Sequence, residues 1–489
     1  MKYLLTILFT GLIHTSIEAD YYDSGKLTEQ LGAQLIKPFL AAVNSGDRNK
    51  IATFSKNNFS AKMLEEYSMD ELIGYMLEYK TKNGLMTFHS LRTYDGPRPK
   101  NQSTFIFKAK RTESWGAVIF TMDNDNPQKI DNFDVYPANI PKDLPELSPL
   151  TLDAAIQELD GFVKRMSDND VFSGSVLLSK DDKVLYKAAH GMASKRFSVA
   201  NNVQTKFNLG SMNKMFTSIA ILQLIAADKL NLTDKLEQFI DESWLTKEIA
   251  QKIEIQHLLT HSSGLGSFFS RKYRQSSNNI YLALDDFKPL IKNETLAFEP
   301  GTDNRYSNTG MFMLGVVIEK VTGQDYYSYI REHIYKPAGM KSSDSFEMDQ
   351  PVPNLAIGYE ANSHNQTGWS NNLYRRVIKG TPAGGGYSTV GDLQRFAKAL
   401  TQFKLLDKKY TEMLYSAKPE FHSDDYGYGF IISGTPANRI VGHGGGFVGI
   451  SSNMDIYLDQ GYVASVLSNY GRGSGSITDK IRELLSRIE

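Results

Sequence analysis

The sequence of 489 residues contains no cysteine and no excess of charge of either sign. The absence of cysteine excludes disulfides, thiolate nucleophiles, iron–sulfur clusters, cysteine-ligated zinc and a lipid anchor on an N-terminal cysteine. Because 54 Lys and Arg residues stand against 55 Asp and Glu residues, we expect no strongly basic surface and no nucleic-acid partner. Hydrophobic residues make up 41% and aromatic residues 11% of the chain, which predicts a large packed core. The length predicts two or three domains.

The sequence also lacks an apolar run long enough to span a membrane, although residues 1–19 have the pattern of a secretory signal peptide. Met1 and Lys2 give a positive start, Tyr3–Ile13 form an apolar run, and the small residue Ala19 follows at the spacing of a cleavage site. The run is about half the ~20 residues that a membrane-spanning helix needs. The alternative interpretation is a buried first helix. We expect an exported protein, periplasmic or secreted, without stable membrane insertion.

Residues 20–145 predict a small α+β domain. Apolar residues recur at helical spacing from Leu31 to Val43, and Ile51–Phe54 begin a second short helix. Strand-like runs follow over 86–93, 104–110, 116–121 and 130–135. The order of helix, Ser-Gly-Asp break, helix and strand-rich tail resembles the cone-shaped nuclear-transport-factor-like fold. No cluster in this region is assigned to chemistry, and whether the domain has a protein partner is left unknown.

Residues 146–489 predict a second, larger α+β domain. Prolines at 137, 141, 145 and 149 mark a linker before it. A helix is predicted over 152–166, hairpins over 174–187 and 450–467, and a closing helix over 477–488. A sheet assembled from both ends of this segment, with helices between, makes it one domain.

The pattern Ser211-x-x-Lys214 is the first candidate for catalysis, and it occurs once in the chain. Apolar residues at helical spacing follow it, so Ser211 stands at a helix start and Lys214 shares its helix face. A serine hydroxyl is a poor nucleophile until a base takes its proton. The helix dipole and partial burial both lower the pKa of a lysine in the first turn, which makes Lys214 a candidate base. The alternative is that Ser211 merely caps the helix.

A second candidate is Tyr306-Ser307-Asn308, the only Tyr-x-Asn sequence in the chain. A tyrosine held near the lysine can share its proton and activate the serine or, later, water. The alternative is a loop tyrosine that packs on the core.

A third candidate is the run from Gly442 to Gly446, in which His443 is the only residue with a side chain. Residues without side chains let a substrate lie against the backbone, whose N–H groups can face a developing oxyanion. The alternatives are a plain glycine turn and a dinucleotide-binding fingerprint over 444–449. That fingerprint needs a helix after the glycines, whereas a strand is predicted there.

In this order, Ser211-x-x-Lys214, Tyr306-x-Asn308 and His443-Gly444-Gly445 resemble the three motifs of the class C beta-lactamase and penicillin-binding-protein superfamily of serine hydrolases. Leu258–Leu265 and Pro382–Thr389 are also typical of that family. The likeness covers about residues 150 to 489, roughly two thirds of the chain. It implies an α+β beta-lactamase/transpeptidase-like domain, in which an antiparallel sheet flanked by helices lies beside a mostly helical region.

The resemblance also implies the function of each motif residue. The implied residues are Ser211, Lys214 and Tyr306 for catalysis, Asn308, His443, Gly444 and Gly445 for substrate binding, and the backbone N–H groups of Ser211 and Gly446 for the oxyanion hole. Ser211 would form a covalent acyl-enzyme, and the resemblance leaves open whether Lys214 or Tyr306 acts as the base. It implies no cofactor and no metal, and the expected partner is a small-molecule or short-peptide substrate.

One departure from the family pattern affects the predicted substrate. Many members have lysine at the position of His443, where a permanent cation attracts the substrate carboxylate, whereas histidine is mostly neutral at pH 7. We therefore predict an exported serine hydrolase that acts on an ester or a D-amino-acid-containing peptide. The alternatives are a D-alanyl-D-alanine carboxypeptidase or beta-lactamase, and a catalytically idle binding protein of the same fold.

Two remaining patterns are given structural interpretations. His257 and His261 lie four residues apart and could form a metal pair, but no glutamate follows the first and no third ligand is evident. The resemblance makes His261 a structural residue at a helix end. Tyr426–Phe430 is predicted to start a strand.

Overall fold

The structure, a computed structural model, describes residues 21–24, 31–95, 98–145, 147–362, 368–375 and 377–488. The predicted signal peptide lies outside the described residues. Within the described part of the chain, no helix is both long and apolar enough to cross a bilayer. The described residues form two compact units. The first unit contains the described residues up to Val171 and those within Ala361–Ser370 and Arg482–Glu489. The second unit contains those within Phe172–Glu360 and Asn371–Ile481. The boundary predicted at residue 145 remains a prediction.

The first unit contains a five-stranded antiparallel sheet and several helices. Its strands, in the order in which they pair, are Tyr21–Ser24 (β1), Met86–Tyr94 (β2), Gln102–Ala109 (β3), Trp115–Met122 (β4) and Ile130–Pro137 (β5). Its helices are Ala33–Ser45 (α1), Arg48–Asn58 (α2), Ala61–Glu66 (α3), Met69–Asn83 (α4) and Leu152–Asp168 (α5).

Local sequence explains several of these elements. The side chain of Asp47 caps α2, and Ser68 forms a capping box with Glu71 at the start of α4. The apolar residues that recur along α1, among them Ile36 and Phe39, are buried in the core of this unit. The predicted α1, α2, α5 and four strands β2–β5 are confirmed within a few residues, whereas α3 and α4 were not predicted. The likeness to the nuclear-transport-factor-like fold remains a prediction.

The remaining elements build the larger part of the structure. The strands are Gly174–Lys180 (β6), Lys183–His190 (β7), Met192–Ser194 (β8), Val199–Ala200 (β9), Phe207–Asn208 (β10), Tyr359–Ala361 (β11), Trp369–Asn371 (β12), Tyr387–Ser388 (β13), Ile431–Thr435 (β14), Asn438–Phe447 (β15), Ile450–Tyr457 (β16) and Tyr462–Ser468 (β17). The helices are Asn213–Ala226 (α6), Lys247–Ala250 (α7), Ile255–Leu259 (α8), Arg271–Gln275 (α9), Lys288–Ile291 (α10), Asn308–Thr322 (α11), Tyr326–Ile330 (α12), Lys336–Ala338 (α13), Val390–Thr401 (α14), Lys408–Leu414 (α15) and Gly475–Ser486 (α16).

The main sheet of the second unit joins strands from both ends of its sequence. Its order is β14-β15-β16-β17-β6-β7, and all neighbouring pairs are antiparallel. The pairing of β17 with β6, in which Val466 lies opposite Val176, confirms the sheet predicted from the two hairpins. The predicted α+β fold class is therefore confirmed.

The prediction that Tyr426–Phe430 starts a strand is wrong, because β14 begins at Ile431. Gly429 takes a φ of +77°, and an added Cβ there would lie 2.2 Å from Ser218 Oγ on α6. The segment therefore turns closely over α6 instead of extending a ladder.

Two helices that are apolar on nearly all sides form the centre of the second unit. Every residue of α6 from Asn213 to Leu222 is buried, and so are the residues from Thr309 to Ile318 on α11. A helix with this composition belongs inside a core. The two helices contact each other, so the residues at their first turns, Lys214 and Asn308, can meet.

Candidate active site

Ser211 lies in a short 3-10 helix, Gly210–Met212, that runs into α6, as the predicted helix start requires. Its side chain is half-buried. Gly210 has a φ of +53°, and a Cβ there would lie 2.9 Å from the backbone N of Gly446 and 3.1 Å from Gly445 Cα. Only glycine allows this close approach, which brings Ser211 beside β15.

Lys214 is fully buried at the first turn of α6. Its Nζ donates to Asn308 Oδ1 at 3.0 Å and to the carbonyl oxygen of Ala383 at 2.6 Å. Burial holds the pKa of this amine well below its ordinary value. A neutral amine has two N–H donors, which these two acceptors use, and its lone pair stays available to accept a proton.

Tyr306 is half-buried and connects the amine to the serine. The Lys214 Nζ lies 4.7 Å from the centroid of its ring. Burial raises the pKa of the Tyr306 phenol, and a hydrogen bond with the Ser211 side chain lowers it to a smaller extent. The structure therefore brings the hydroxyl of Ser211, the amine of Lys214 and the phenol of Tyr306 together.

Asn308 is the first residue of α11, where the side chain of Ser307 caps the helix by accepting from the N–H of Gly310 at 2.8 Å. Its carbonyl oxygen accepts from Lys214, and its amide nitrogen donates to Ser267 Oγ at 3.2 Å. Asn308 thereby holds the lysine from one side while it contacts the exposed loop at Ser267 from the other.

The glycine-rich run forms the end of strand β15. Strand β14 pairs with β15 only as far as Gly442, so the following residues have an open edge. A two-residue turn, Val448-Gly449, joins β15 to β16, so the flanking pair Phe447–Ile450 exchanges hydrogen bonds and the next pair, Gly446–Ser451, does not. The N–H of Gly446 therefore points away from β16, toward the open edge.

Gly445 and Gly444 lie on the same stretch of β15 and are half-buried, whereas Gly446 is exposed. A Cβ at Gly445 would lie 1.9 Å from the carbonyl oxygen of Leu209, two residues before Ser211. Ser452 on the neighbouring strand donates to the same oxygen at 2.7 Å. These contacts fix the serine turn against the strand.

His443 is buried at the start of this run. Its Nδ1 donates to the carbonyl oxygen of Gly444, so the Nε2 carries no proton and accepts from the hydroxyl of Tyr426 at 3.1 Å. Burial is the main cause that lowers the pKa of His443, to about 3. The ring is therefore neutral at pH 7.

Tyr426 and His261 belong to this site although the sequence predicted neither there. The ring of His261 lies 4.4 Å from that of Tyr306 and 4.8 Å from that of Tyr426, centroid to centroid. Its Nδ1 accepts from the N–H of Ser307 at 3.2 Å, and burial holds its pKa well below the ordinary value. The only sequence signal for His261 was its place in the family-typical stretch Leu258–Leu265, and that signal was interpreted as structural.

His257 has different surroundings from His261. Its Nδ1 accepts from the N–H of Glu254 at 3.1 Å, and its ring lies against Phe421 at 5.4 Å. Its pKa is lowered by burial.

Comparison with known proteins shows a family likeness over about two thirds of the chain. Residues 152–486 match the family model Beta-lactamase. The chain is 29% identical over 327 residues to Penicillin-binding protein 4* of Bacillus subtilis (64% of this chain, 71% of the relative), and 26% identical over 308 residues to a Teichoic acid D-alanine hydrolase of Staphylococcus aureus (63% and 72%). The crystal structure of a penicillin binding protein from Bacillus halodurans superposes with a TM-score of 0.59 at 27% identity, over 68% of this chain and 98% of that one.

Proposed function

The chain belongs to the beta-lactamase family and is a serine hydrolase, and from this premise we propose that it is exported and cleaves esters or D-amino-acid-containing peptides through an acyl-enzyme on Ser211. The observation that carries the proposal is the buried Lys214 amine, held by two neutral oxygen atoms beside the phenol that hydrogen-bonds Ser211.

The first step is attack of the Ser211 oxygen on the substrate carbonyl carbon. Burial disfavours both the ammonium form of Lys214 and the phenolate form of Tyr306, so the resting site holds a free amine and a phenol. Of these two groups the amine is the proton acceptor. We assign Lys214 as the base, and Tyr306 as the group that passes the serine proton to it and later donates a proton to the leaving group.

The negative charge that develops on the carbonyl oxygen needs fixed donors. The backbone N–H groups of Ser211 and Gly446 are proposed for this role, because Gly210 brings the serine turn within contact of Gly446. The bond to the leaving group then breaks, and the leaving group departs with the proton from Tyr306. Water, deprotonated by the same pair, releases the acyl group and restores Ser211.

The substrate class follows from His443, Gly444 and Gly445 along β15. Because the His443 imidazole is neutral, this position offers no permanent cation to a substrate carboxylate. A substrate that ends in a carboxylate therefore gains no electrostatic attraction at this position, and uncharged esters and amides should bind there equally well. A D-amino-acid substrate is supported by the name of the Teichoic acid D-alanine hydrolase among the relatives.

Export is proposed on the signal pattern in residues 1–19. Release of a shortened mature chain from an expressing cell, read by N-terminal sequencing, tests it. A cell-associated protein that keeps Met1–Ala19 would contradict it.

The substrate proposal is tested by assaying the mature protein in parallel against p-nitrophenyl esters, D-alanyl peptides and nitrocefin. We expect ester or D-peptide hydrolysis that is faster than nitrocefin hydrolysis and that disappears in Ser211→Ala. Rapid nitrocefin turnover with slow ester turnover would favour the second candidate, a beta-lactamase or D-alanyl-D-alanine carboxypeptidase. The name of the Bacillus subtilis relative, Penicillin-binding protein 4*, supports this candidate. No turnover and no covalent labelling would favour an idle binding protein.

A further inference from the structure

Two phenylalanines meet at the end of strand β15. Phe447 is the last residue of the strand and directly follows Gly446. Phe269 lies in the loop before α9, two residues after Ser267. Their ring centroids are 5.4 Å apart with an angle of 37° between the planes, and both side chains are half-buried.

Phe447 lies on the same face of β15 as the serine turn. Alternate residues of a strand point to the same side, so the side chain of Phe447 shares its face with the Cβ direction of Gly445. That direction leads to the Leu209 carbonyl, at 1.9 Å. The Cβ direction of Gly446, on the other face, meets nothing within 4 Å. The Phe447 ring is therefore on the side of the strand where Ser211 lies.

Phe269 is attached to the opposite, helical wall of the active site. Ser267, in the same loop, accepts from Asn308, which in turn accepts from Lys214. Behind the loop, Phe268 and Tyr273 are buried, and the ring of Phe269 lies 4.4 Å and 5.1 Å from theirs. This backing fixes one face of the Phe269 ring while leaving part of it accessible.

The two rings thus come from different walls of the active site and are in contact beside the proposed oxyanion donor, Gly446. We propose that Phe269 and Phe447 form an apolar subsite that binds an aromatic or bulky aliphatic group on the acyl part of the substrate. This inference rests on the proposed function, because it takes Ser211 as the acylated residue. The acyl part stays on Ser211 beside β15, whereas the leaving group departs on the side of Tyr306.

The chemistry of the subsite sets the kind of group it accepts. The two accessible surfaces are aromatic rings, which gain from contact with another ring or alkyl group and offer no hydrogen bond to a charged one. Size discrimination by an apolar pocket is about 10- to 200-fold per methylene-sized difference. A phenylacetyl group should therefore be preferred over an acetyl group by at least about tenfold in kcat/KM.

The test keeps the leaving group constant and varies the acyl group. We would measure kcat/KM of the full-length mature protein for p-nitrophenyl acetate and p-nitrophenyl phenylacetate, in the wild type, Phe269→Ala, Phe447→Ala and the milder Phe447→Leu. Phe403→Ala, which truncates a phenylalanine that is 43% exposed after α14, is the matched control. Thermal unfolding of each variant shows whether it is folded.

The subsite predicts that the ratio of phenylacetate to acetate falls by about tenfold in the alanine variants, falls less in Phe447→Leu, and is unchanged in Phe403→Ala. An equal fall for both esters, or an unchanged ratio in folded Phe269→Ala and Phe447→Leu, would overturn the subsite and leave the proposed function standing. A wild type that hydrolyses both esters equally well would also overturn the subsite and leave the proposed function standing. If the folded wild type hydrolysed neither ester and no fluorophosphonate labelled it, the proposed function and the subsite would fail together.

Discussion

In the proposed mechanism, the proton transfers depend on Lys214 and Tyr306. Burial lowers the pKa of the Lys214 amine and raises that of the Tyr306 phenol, so it favours the uncharged form of both groups. The two carbonyl oxygens around Lys214 hold its amine in place without adding the carboxylate that would restore its charge. A lysine kept neutral in this way can act as a base near pH 7.

The first prediction concerns this pair. Lys214→Ala and Tyr306→Phe should each lower kcat/KM for p-nitrophenyl esters by at least ~100-fold, the usual scale of a positioned proton transfer. The loss is measured by the release of p-nitrophenolate under steady-state conditions. Near-normal rates in either variant would contradict the assignment.

Lys418 provides a matched control for Lys214. Its Nζ also donates to two backbone carbonyls, of Met413 at 3.2 Å and Ser416 at 2.6 Å, and lies 4.5 Å from the ring of Tyr428. Burial lowers its pKa as well. Because Lys418 lies outside the candidate site, Lys418→Ala should keep the rate, which separates loss of the catalytic amine from loss of a buried lysine in general.

The second prediction concerns the neutral state of His443. Its pKa of about 3 means that the wild-type ring stays neutral down to roughly pH 4, next to Lys214 and the buried ring of His261. Tyr426→Phe removes the hydrogen bond to Nε2, which stabilises the neutral ring, so the pKa of His443 should rise. Histidine NMR across the pH range measures this rise.

Tyr415→Phe is the control for this variant, since Tyr415 is equally buried but its hydroxyl has no hydrogen-bond partner among the described residues. It should leave the His443 titration unchanged. A wild-type His443 that titrates near 6.5 would contradict the account.

The sequence could predict contacts between site residues that are close together in the chain. It could not predict contacts between residues that only the tertiary fold brings together. Ser211 and Lys214 are three residues apart on one helix, so their meeting follows from helix geometry. The partner of His443, Tyr426, is 17 residues away, and the second acceptor of Lys214, at Ala383, is 169 residues away. Tyr426 carries no local pattern that points to the site, and the stretch Pro382–Thr389, which contains Ala383, is typical of the family without indicating a contact with Lys214.

At the scale of elements, the site depends on how closely the serine turn approaches the open end of β15. Two glycines face each other there, Gly210 in the turn and Gly445 in the strand, and a side chain on either would collide with the opposite backbone. Their neighbour Gly446 faces open space. The three glycines are therefore not equivalent, although the sequence shows them as similar.

The third prediction uses this difference. Gly210→Ala places a side chain at a φ of +53° and within 2.9 Å of the Gly446 N, so it should cost about 1–3 kcal/mol of stability and lower kcat by more than about tenfold through displacement of the proposed oxyanion donor. Gly446→Ala has room for its Cβ, and its unfolding free energy should stay within about 0.5 kcal/mol of the wild type. Denaturant unfolding and ester assays measure the two quantities.

A Gly210→Ala protein with wild-type stability and rate would show that the turn does not need to lie so close to β15. An equal loss of stability in Gly446→Ala would show that the strand, rather than the approach of the turn, is the sensitive part.

The elements themselves were predicted well where one periodicity ran over many residues. The helix α1, the strands β2–β5 and the hairpins β6–β7 and β16–β17 are confirmed near their predicted positions. The failure at Tyr426–Phe430 has a physical reason, since Gly427 and Gly429 bring that segment against backbone and side chains of α15 and α6. Alternation of aromatic residue and glycine gave no sign of this contact.

At the scale of the whole molecule, the described residues contain two hydrophobic cores that share no residue. One core lies within residues 33–133 and the other within residues 177–467. The sequence predicted two regions separated by a proline-marked linker. It also predicted that hairpins from both ends of the larger region join in one sheet, which the pairing of β17 with β6 confirms. The order of the many short helices between 227 and 340 could not be predicted, because each is too short to show a period.

The fourth prediction follows from the separate cores. Phe39 is 3% exposed and contacts the rings of Phe54, Phe120 and Phe133, so Phe39→Ala should lower the stability of the first unit by about 3–5 kcal/mol. Below the unfolding transition, labelling of Ser211 should proceed at the wild-type rate. Calorimetry and a labelling time course measure the two effects. Loss of labelling in the folded variant would show that the first core is needed for the chemistry.

The claim that acyl transfer occurs at Ser211 is tested most directly by intact-mass spectrometry of the mature protein after incubation with a fluorophosphonate. The account predicts one adduct per chain, located on the peptide that contains Ser211, and no adduct in folded Ser211→Ala. Absence of an adduct on the folded wild type, or an adduct that persists in Ser211→Ala, would contradict it.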